Sequence, residues 1–373
     1  MAGPPPLVAR ARLAVKAALA GRLAELADVT APVQSEGSAN HRPVVLVGVS
    51  GGADSLALAA TSAWVAREFG LECEAAIIDH RLSEDSARVA ERAAATCERL
   101  GLTRVHVRRV HVEQAGGGLE DAARTARHQA LEELADERSA LAILLGHTLD
   151  DQAEQVLLGL ARGAGARALA GIRRRRGALL RPFLGTGRDE TTGLWRADTR
   201  AICEALDIDV WDDPMNADET FLRVRVRTLA LPALAEILGD HIAQNLVRTA
   251  DLLADDADYL DAQAREDYEG LARTGRAESS DLVALDVYGL ALLPRALRTR
   301  VIKHAIHEAQ RLGGARASKS LLRRHVLQVD ALVSAYRGQG PILLPGKIEA
   351  VRSDGLLVFA PGVPERSSHT APA

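Results

Sequence analysis

The chain has 373 residues, 47% of them hydrophobic, so it is long enough for two or more domains with packed cores. Its formal net charge of −4 excludes a uniformly basic protein, and any surface that binds nucleic acid has to be a local patch. The three cysteines are far apart and form no Cys-x-x-Cys pair, which argues against disulfides or a Cys-ligated cluster and fits a cytoplasmic protein. No apolar segment at the N-terminus is long enough to predict a signal peptide or a membrane span.

Residues 1–41 predict a helix over 7–28 followed by a polar linker. From residue 42 to 238, apolar segments alternate with helical ones, which predicts an α/β domain whose parallel sheet has helices on both faces. The predicted strands are 44–49, 73–79, 105–112 and 141–146, and the predicted helices are 56–68, 83–100, 119–135 and 150–160. Ligands of such sheets bind beyond the carboxyl ends of the strands.

Residues 239–360 predict a second and smaller domain of a different kind. The sequence from Pro232 to about Ala335 is expected to be entirely helical, and residues 342–359 are expected to form a short β-like tail. The last segment, residues 361–373, is predicted to be disordered.

The most informative motif is a pair of glycines between the first predicted strand and the helix that follows, Ser50-Gly51-Gly52-Ala53-Asp54-Ser55. Glycines allow a close backbone approach, and the free N–H groups of a helix start favour an anion. Asp54 beside a phosphate predicts a bridging Mg²⁺. No lysine follows the glycines, so this is not the lysine-containing phosphate loop of another nucleotide-binding class. The alternative is a turn that only connects a strand to a helix.

Other polar residues also follow predicted strands, and we expect them to meet the glycine loop in one crevice. Asp79 and His80 end the second strand, and Gly146 and His147 end the fourth. Asp150 and Glu154 share one face of the next helix, with Asp151 beside them, so these acids are candidates for holding Mg²⁺ or a cationic substrate. The alternative for Asp151 is a capping box with Thr148.

Arginines supply the candidate anion contacts. Arg124 and Arg127 lie on one face of a predicted helix and offer donors to a phosphate or carboxylate, although a solvated helix with a Glu120–Arg124 pair is the alternative. Residues 155–188 contain no acid, and their unbroken arginine quartet suits a polyanion or reflects a compositional bias toward arginine. The quartet is Arg173, Arg174, Arg175 and Arg176, and a weaker candidate pair is Arg223 and Arg227. The glycine pattern at 163–168 follows a helix rather than a strand, so we predict a loop there and not a dinucleotide site.

These motifs, in this order, resemble the tRNA(Ile)-lysidine synthetases, a family of PP-loop ATPases within the N-type ATP pyrophosphatases. The matching segments are SGGADS (50–55), IIDHRL (77–82), LEDAARTARH (119–128), the block 146–172, RPFL (181–184) and WDDPMNADETFLRVRVR (211–227). Thr148 stands where the family usually has a second histidine, and Val224 stands where it usually has an asparagine. The resemblance implies an adenine nucleotide alpha hydrolase-like domain followed by a smaller α-helical substrate-binding domain.

The resemblance also implies an activity. ATP, with Mg²⁺, would adenylate the C2 oxygen of the wobble cytidine in the CAU anticodon of tRNA(Ile), and free L-lysine would then displace AMP to give lysidine. The implied catalytic residues are Asp54, Asp150, Asp151 and Arg124. The implied nucleotide contacts are the loop from Ser50 to Ser55 with Asp79, His80, Gly146 and His147. The implied lysine and tRNA contacts are Arg124, Arg127, Asp150, Glu154, Arg173, Arg174, Arg175, Arg176, Arg223 and Arg227.

Two alternatives to this function remain at the level of sequence. One is a tRNA 2-thiolating PP-loop enzyme, which would need closely paired cysteines that the chain lacks. The other is a non-catalytic relative that binds only nucleotide or RNA. The sequence predicts no membrane partner and leaves the oligomeric state open, with a homodimer as one option.

Overall fold

A computed structural model describes residues 3–29, 42–80, 86–110, 119–187, 192–273, 281–314 and 321–362. Contacts divide the chain into two compact units, Met1–Ala254 and Asp255–Ala373. This division falls inside a long helix and not at the predicted domain boundary of 238–239. Most of the predicted linker and the predicted disordered tail lie outside the described residues.

The first unit alternates strands with helices. Its strands are β1 (Val44–Val49), β2 (Glu72–Asp79), β3 (Arg104–Arg109), β4 (Ala142–Leu144), β5 (Arg175–Arg176) and β6 (Leu179–Leu180). Its helices are α1 (Pro6–Val29), α2 (Ala53–Glu68), α3 (Ser86–Arg99), α4 (Leu119–Arg138), α5 (Leu149–Ala161), α6 (Ala166–Leu169), α7 (Arg196–Ala205), α8 (Leu222–Arg225) and α9 (Leu231–Leu238). The helix α10 (Ile242–Leu271) continues into the second unit. The predicted loop at 163–168 is observed only in part, because a turn up to Gly165 leads into the short helix α6.

The sheet of the first unit has the strand order β3-β2-β1-β4-β6-β5, and every neighbouring pair is parallel except β5 and β6. Because β1 pairs with β2 on one side and with β4 on the other, the order reverses at β1. A crevice opens at such a point beyond the carboxyl ends of the strands. The predicted parallel α/β fold is therefore confirmed, and the glycine loop lies at this crevice.

Burial explains why β1 is central. Val45, Leu46 and Val47 are fully buried, as expected for a strand covered by helices on both faces. On one face Val45 and Val47 pack with residues of α2 such as Leu56 and Leu58, and on the other face Leu46 packs with residues of α4. This packing fixes the start of α2, and with it the glycine loop, against the middle of the sheet.

The second unit combines helices with a small antiparallel sheet. Its strands are β7 (Val283–Asp286), β8 (Ile342–Leu344), β9 (Ile348–Ser353) and β10 (Leu356–Pro361), in the order β7-β10-β9-β8. Its further helices are α11 (Val287–Leu292), α12 (Arg295–Leu312) and α13 (Arg323–Ser334). The expectation of an entirely helical segment up to Ala335 is wrong, because β7 interrupts it and pairs with β10. The predicted β-like tail is observed.

No helix among the described residues is long and apolar enough to cross a membrane.

Candidate active site

The glycine loop joins β1 to α2 in a closed turn. Gly51 has φ +87°, a backbone conformation that strongly favours glycine. The Ser55 hydroxyl donates to the Gly52 carbonyl at 2.9 Å and accepts from the Ser50 N–H at 3.1 Å. Within the described chain, no side chain caps the start of α2, so its first N–H groups remain available to an anion.

Gly146 brings the end of β4 against this loop. A Cβ at this position would lie 2.8 Å from the Asp54 carbonyl oxygen, closer than real Cβ atoms approach. Glycine is therefore required for the two chain segments to meet. The contact fixes the loop and the residue after Gly146 in one arrangement at the crevice.

A cavity of about 330 Å³ opens at this place. The predicted site residues that line the cavity are Ser50, Asp54, Ser55, His80, Arg127, Gly146 and His147. Asp213 also lines it and was not among the predicted residues. Asp79 is buried beside the cavity, with a carboxylate oxygen 4.0 Å from Arg109 Nε, and it does not line the wall.

Asp54, in the first turn of α2, contacts two residues of α7. Its Oδ1 accepts a short hydrogen bond from the Thr199 hydroxyl, and its Oδ2 is 3.7 Å from Arg196 Nε. Burial raises the pKa of Asp54 to about 6, and the Thr199 hydrogen bond and the Arg196 charge oppose that rise. Any cation that enters the cavity favours the ionised form of Asp54.

The acids of α5 are held by arginines in what we call the ion-pair cluster, comprising Asp54, Asp150, Asp151, Glu154, Arg196, Arg223 and Arg227. Glu154 is fully buried, and its carboxylate accepts from Arg223 Nε at 2.9 Å and Arg227 Nε at 2.8 Å. Arg196 reaches the same carboxylate at 3.4 Å. The predicted substrate residues Glu154, Arg223 and Arg227 are thus brought together, but they bind one another.

Asp150 and Asp151 have different surroundings. Asp151 accepts the Thr148 N–H at 2.8 Å, so the alternative interpretation as a capping box is borne out by the geometry, and its other oxygen is 3.2 Å from Arg196 Nη2. Asp150 accepts the backbone N–H of Arg196 at 2.7 Å, and burial raises its pKa. Asp150 is therefore a carboxylate with a raised pKa, and it takes part in no ion pair among the described residues.

Arg196 and Thr199 were missed by the sequence analysis. Both lie on α7, in a segment without a recognisable motif, and Arg196 links Asp54 to the acids of α5. One arginine in an arginine-rich chain carries no signal of its own. Only the folding of α7 against the glycine loop and α5 reveals it.

The arginine quartet does not form one free cationic face. Arg174 pairs with Asp251 and donates to the carbonyls of Leu184 and Gly185. Arg175 pairs with Glu25. These two guanidinium groups are bound within the protein, whereas Arg176 is exposed and has no ion pair in the described part of the chain.

The helix α4 presents one arginine, Arg127, to the cavity. Arg127 lines the wall, and burial, followed by the nearby Arg124 charge, lowers its pKa. The predicted Glu120–Arg124 pair involves a side chain outside the described residues. Arg124 is half-buried and does not line the cavity.

Asp54 was also predicted to bind Mg²⁺. Among the described residues, no group of three or more acidic, histidine or cysteine side chains is arranged to hold a metal. Asp54 nevertheless faces the cavity beside the hydroxyls of Ser50 and Ser55. One carboxylate fits Mg²⁺, which protein sites commonly hold through one or two carboxylates together with phosphate oxygens and water.

A phosphate-type loop at the reversal point of a parallel sheet defines a nucleotide-binding protein of the PP-loop class, and a family model described as a PP-loop domain matches residues 24–234. Curated relatives cover most of the chain. The tRNA(Ile)-lysidine synthase of Leifsonia xyli subsp. xyli is 48% identical over 85% of this chain and 90% of its own length. That of Thermobifida fusca is 44% identical over 96% of this chain and 99% of its own length. The chain belongs to the tRNA(Ile)-lysidine synthase family.

Among solved structures, a U34-tRNA thiolase from Methanococcus maripaludis matches with a TM-score of 0.45 and 16% identity, covering 63% of this chain and 78% of that one. A likeness of this degree does not by itself show a shared fold.

Proposed function

We propose that this chain ligates lysine to C2 of the wobble cytidine in the CAU anticodon of tRNA(Ile), using ATP and releasing AMP and pyrophosphate. The observation that carries the proposal is the glycine loop of Ser50 to Ser55, closed by its own hydrogen bonds and facing a cavity at the carboxyl end of β1. The similarity to lysidine synthases over nearly the whole chain supports it.

In the first step, the C2 oxygen of the cytidine attacks the α-phosphorus of ATP and pyrophosphate departs. The glycine loop and the first N–H groups of α2 bind the departing phosphates, because these donors are fixed before the negative charge develops. Arg127 adds a guanidinium from the cavity wall. Mg²⁺, when bound at Asp54, would offset phosphate charge.

In the second step, the ε-amine of lysine attacks C2 and AMP leaves. The amine has to lose a proton before it attacks, and a carboxylate with a raised pKa is the better acceptor. Asp150 has this property and keeps one oxygen without a described partner, whereas Asp151 and Glu154 are bound to arginines. We therefore assign proton acceptance to Asp150 and a positioning role to Asp151 and Glu154.

The proposed RNA contacts comprise exposed arginines and arginines that are paired within the protein. Arg173 and Arg176 lie on the exposed surface of the quartet, and Arg176 is a phosphate contact in this proposal. Arg174 and Arg175 act mainly by holding the segment in place through their internal ion pairs. Arg223 and Arg227 orient Glu154, and Arg124 remains a proposed contact of the phosphate or of the lysine carboxylate.

The test is incubation of the purified protein with ATP, radiolabelled lysine and unmodified tRNA(Ile) bearing CAU. Label should enter the RNA, and Asp54→Ala should abolish incorporation, because phosphate charge in the cavity would be left without its carboxylate-bound cation. Glu91→Ala, at an exposed site on α3, is the matched control and should retain the activity of the unmodified protein.

Release of pyrophosphate without lysine in the RNA would contradict the proposal and favour the thiolating alternative. The structure offers that alternative little support, because all three cysteines are buried and burial raises each thiol pKa to about 12. Thiols in this state are poor sulfur carriers. A homodimer and a cytoplasmic location stay predictions, and a solution mass measurement tests the first of them.

A further inference from the structure

Arg181 is a buried cation in unusual surroundings. It follows β6, and only 5% of the residue is exposed. Its Nη1 donates to the Arg173 carbonyl at 2.8 Å, while its Nε is buried and has no hydrogen-bond partner among the described residues. Buried arginines are normally paired with a carboxylate, and no described carboxylate pairs with this one. Such a group requires an explanation.

Among the described residues, the charged groups that shift the pKa of Arg181 are other arginines and not acids. Burial and the charges of Arg124, Arg176 and Arg127 lower the pKa of Arg181 to about 10. None of those three arginines has an ion pair within the described ranges. We call these residues the arginine cluster: Arg124, Arg127, Arg176 and Arg181. Like charges at close range destabilise one another, so the cluster raises the free energy of the ligand-free protein.

Neutral histidines lie beside the arginine cluster. Burial, followed by the charges of the arginines, lowers the pKa of His128 to about 4 and lowers that of His147 as well. The Nδ1 atoms of both rings are buried without a hydrogen-bond partner in the described structure. His80, on the cavity wall, has an Nδ1 atom in the same condition. Several buried polar atoms without a described hydrogen-bond partner therefore lie near the arginine cluster.

The arginine cluster adjoins the cavity of the glycine loop. Arg127 and His147 belong to the cavity wall, and both interact electrostatically with Arg181. β6, which ends just before Arg181, pairs in parallel with β4, which ends just before Gly146 and His147. Both segments therefore deliver their next residues to the same edge of the sheet.

We propose that the arginine cluster, with Arg181 as its buried member, is a second phosphate subsite beside the glycine loop, and that it binds a phosphate group of ATP or of the RNA backbone. The inference rests on the proposed use of ATP and tRNA. A phosphate supplies negative charge to the arginine cluster and an acceptor for Arg181 Nε, which has none among the described residues. Arg181 is a binding residue on this account, and its cost to stability is recovered when the anion enters.

The experiment compares Arg181→Met with Arg298→Met in the full chain. Arg298 is a matched control because it is also largely buried, but it pairs with Asp330 at 2.7 Å. Thermal unfolding is measured without ligand and with inorganic pyrophosphate, and a fluorescence titration gives the Kd for pyrophosphate. Arg181→Met should unfold at the same temperature as the unmodified protein or higher, whereas Arg298→Met should unfold at a lower temperature.

The ligand measurements identify the source of the phosphate. If it belongs to the nucleotide, Arg181→Met should weaken pyrophosphate binding by roughly ten- to a hundredfold, and Arg181→Lys by less. If it belongs to RNA, pyrophosphate binding stays unchanged, and the salt dependence of tRNA binding falls by about one unit of slope. Either result supports the subsite.

The proposal is overturned if Arg181→Met lowers the unfolding temperature as Arg298→Met does while pyrophosphate and tRNA bind normally. Failure of Arg181→Met to fold would overturn it too, because the guanidinium would then be holding the fold. Lysine incorporation is scored separately. A protein that binds phosphate as expected but labels no tRNA would leave the subsite standing and reject the proposed ligase function.

Discussion

Replacing Glu154 with glutamine should destabilise the first unit strongly. Glu154 is fully buried and accepts hydrogen bonds from Arg223 and Arg227 at 2.9 and 2.8 Å. Removing one partner of a buried ion pair costs about 3–5 kcal/mol. For Glu154→Gln we expect the lower end of that range. Arg196 and Arg223 would still pair with Asp151, at 3.2 and 3.6 Å, and only Arg227 would lose its carboxylate partner.

The assay is thermal unfolding followed by far-ultraviolet circular dichroism. For a unit of this size, about 3 kcal/mol corresponds to a fall in Tm of roughly 6–12 °C. Glu154→Asp keeps the charge and should recover part of that loss. Glu91→Gln, at an exposed position with no ion pair in the described structure, is the control and should change stability by less than about 0.5 kcal/mol.

A fall in Tm of less than about 2 °C for Glu154→Gln would refute this reasoning, because it would correspond to about 1 kcal/mol or less. The arginines of α8 and the following turn would then be held by packing rather than by the buried carboxylate. The positioning role assigned to Glu154 would fall with it.

Three further predictions concern separate features. Gly146→Ala should lower the free energy of unfolding by about 1–3 kcal/mol in chemical denaturation, because its Cβ would lie 2.8 Å from the Asp54 carbonyl oxygen. The control Gly21→Ala, whose Cβ would meet no atom within 4 Å, should be neutral or stabilising. The pKa of His128 is depressed to about 4, so neutral His128 contributes to stability above about pH 6.5, and this contribution is lost as the pH falls through 4. The free energy of unfolding measured from pH 7 to 4 should therefore fall less steeply in His128→Gln than in the unmodified protein. All three cysteines should resist a thiol reagent in the native protein and react once it is unfolded, and rapid modification of any of them under native conditions would contradict their burial.

The fold of the first unit was largely predictable because its signals are local. The apolar run 44–49, the glycine pair and the helix after it are contiguous, and the observed strand has the predicted bounds. β7 was missed for the opposite reason. Its short apolar run lies between helices and becomes a strand by pairing with β10, more than 60 residues later in the chain. Pairing at that separation leaves no local pattern.

The candidate site was predictable as a set of residues but not as a set of contacts. The glycine loop, His80 and His147 were found from their positions at strand ends, and the structure brings them to one cavity. The partners of Glu154 could not be found in this way, because Arg223 and Arg227 are 69 and 73 positions away in sequence. Arg196 and Arg181 acquire their meaning only from burial and from neighbours on other segments.

The charges around the crevice also explain how a chain with a net charge of −4 can attract a polyanion. The four carboxylates and three guanidinium groups of the ion-pair cluster nearly cancel, so they contribute little to the electric field in the solvent. The arginine cluster has no such cancellation among the described residues, and Arg127 carries part of its positive charge to the cavity wall. We expect this charge to attract anions to the cavity, and the association rate of a polyanion should fall as ionic strength rises.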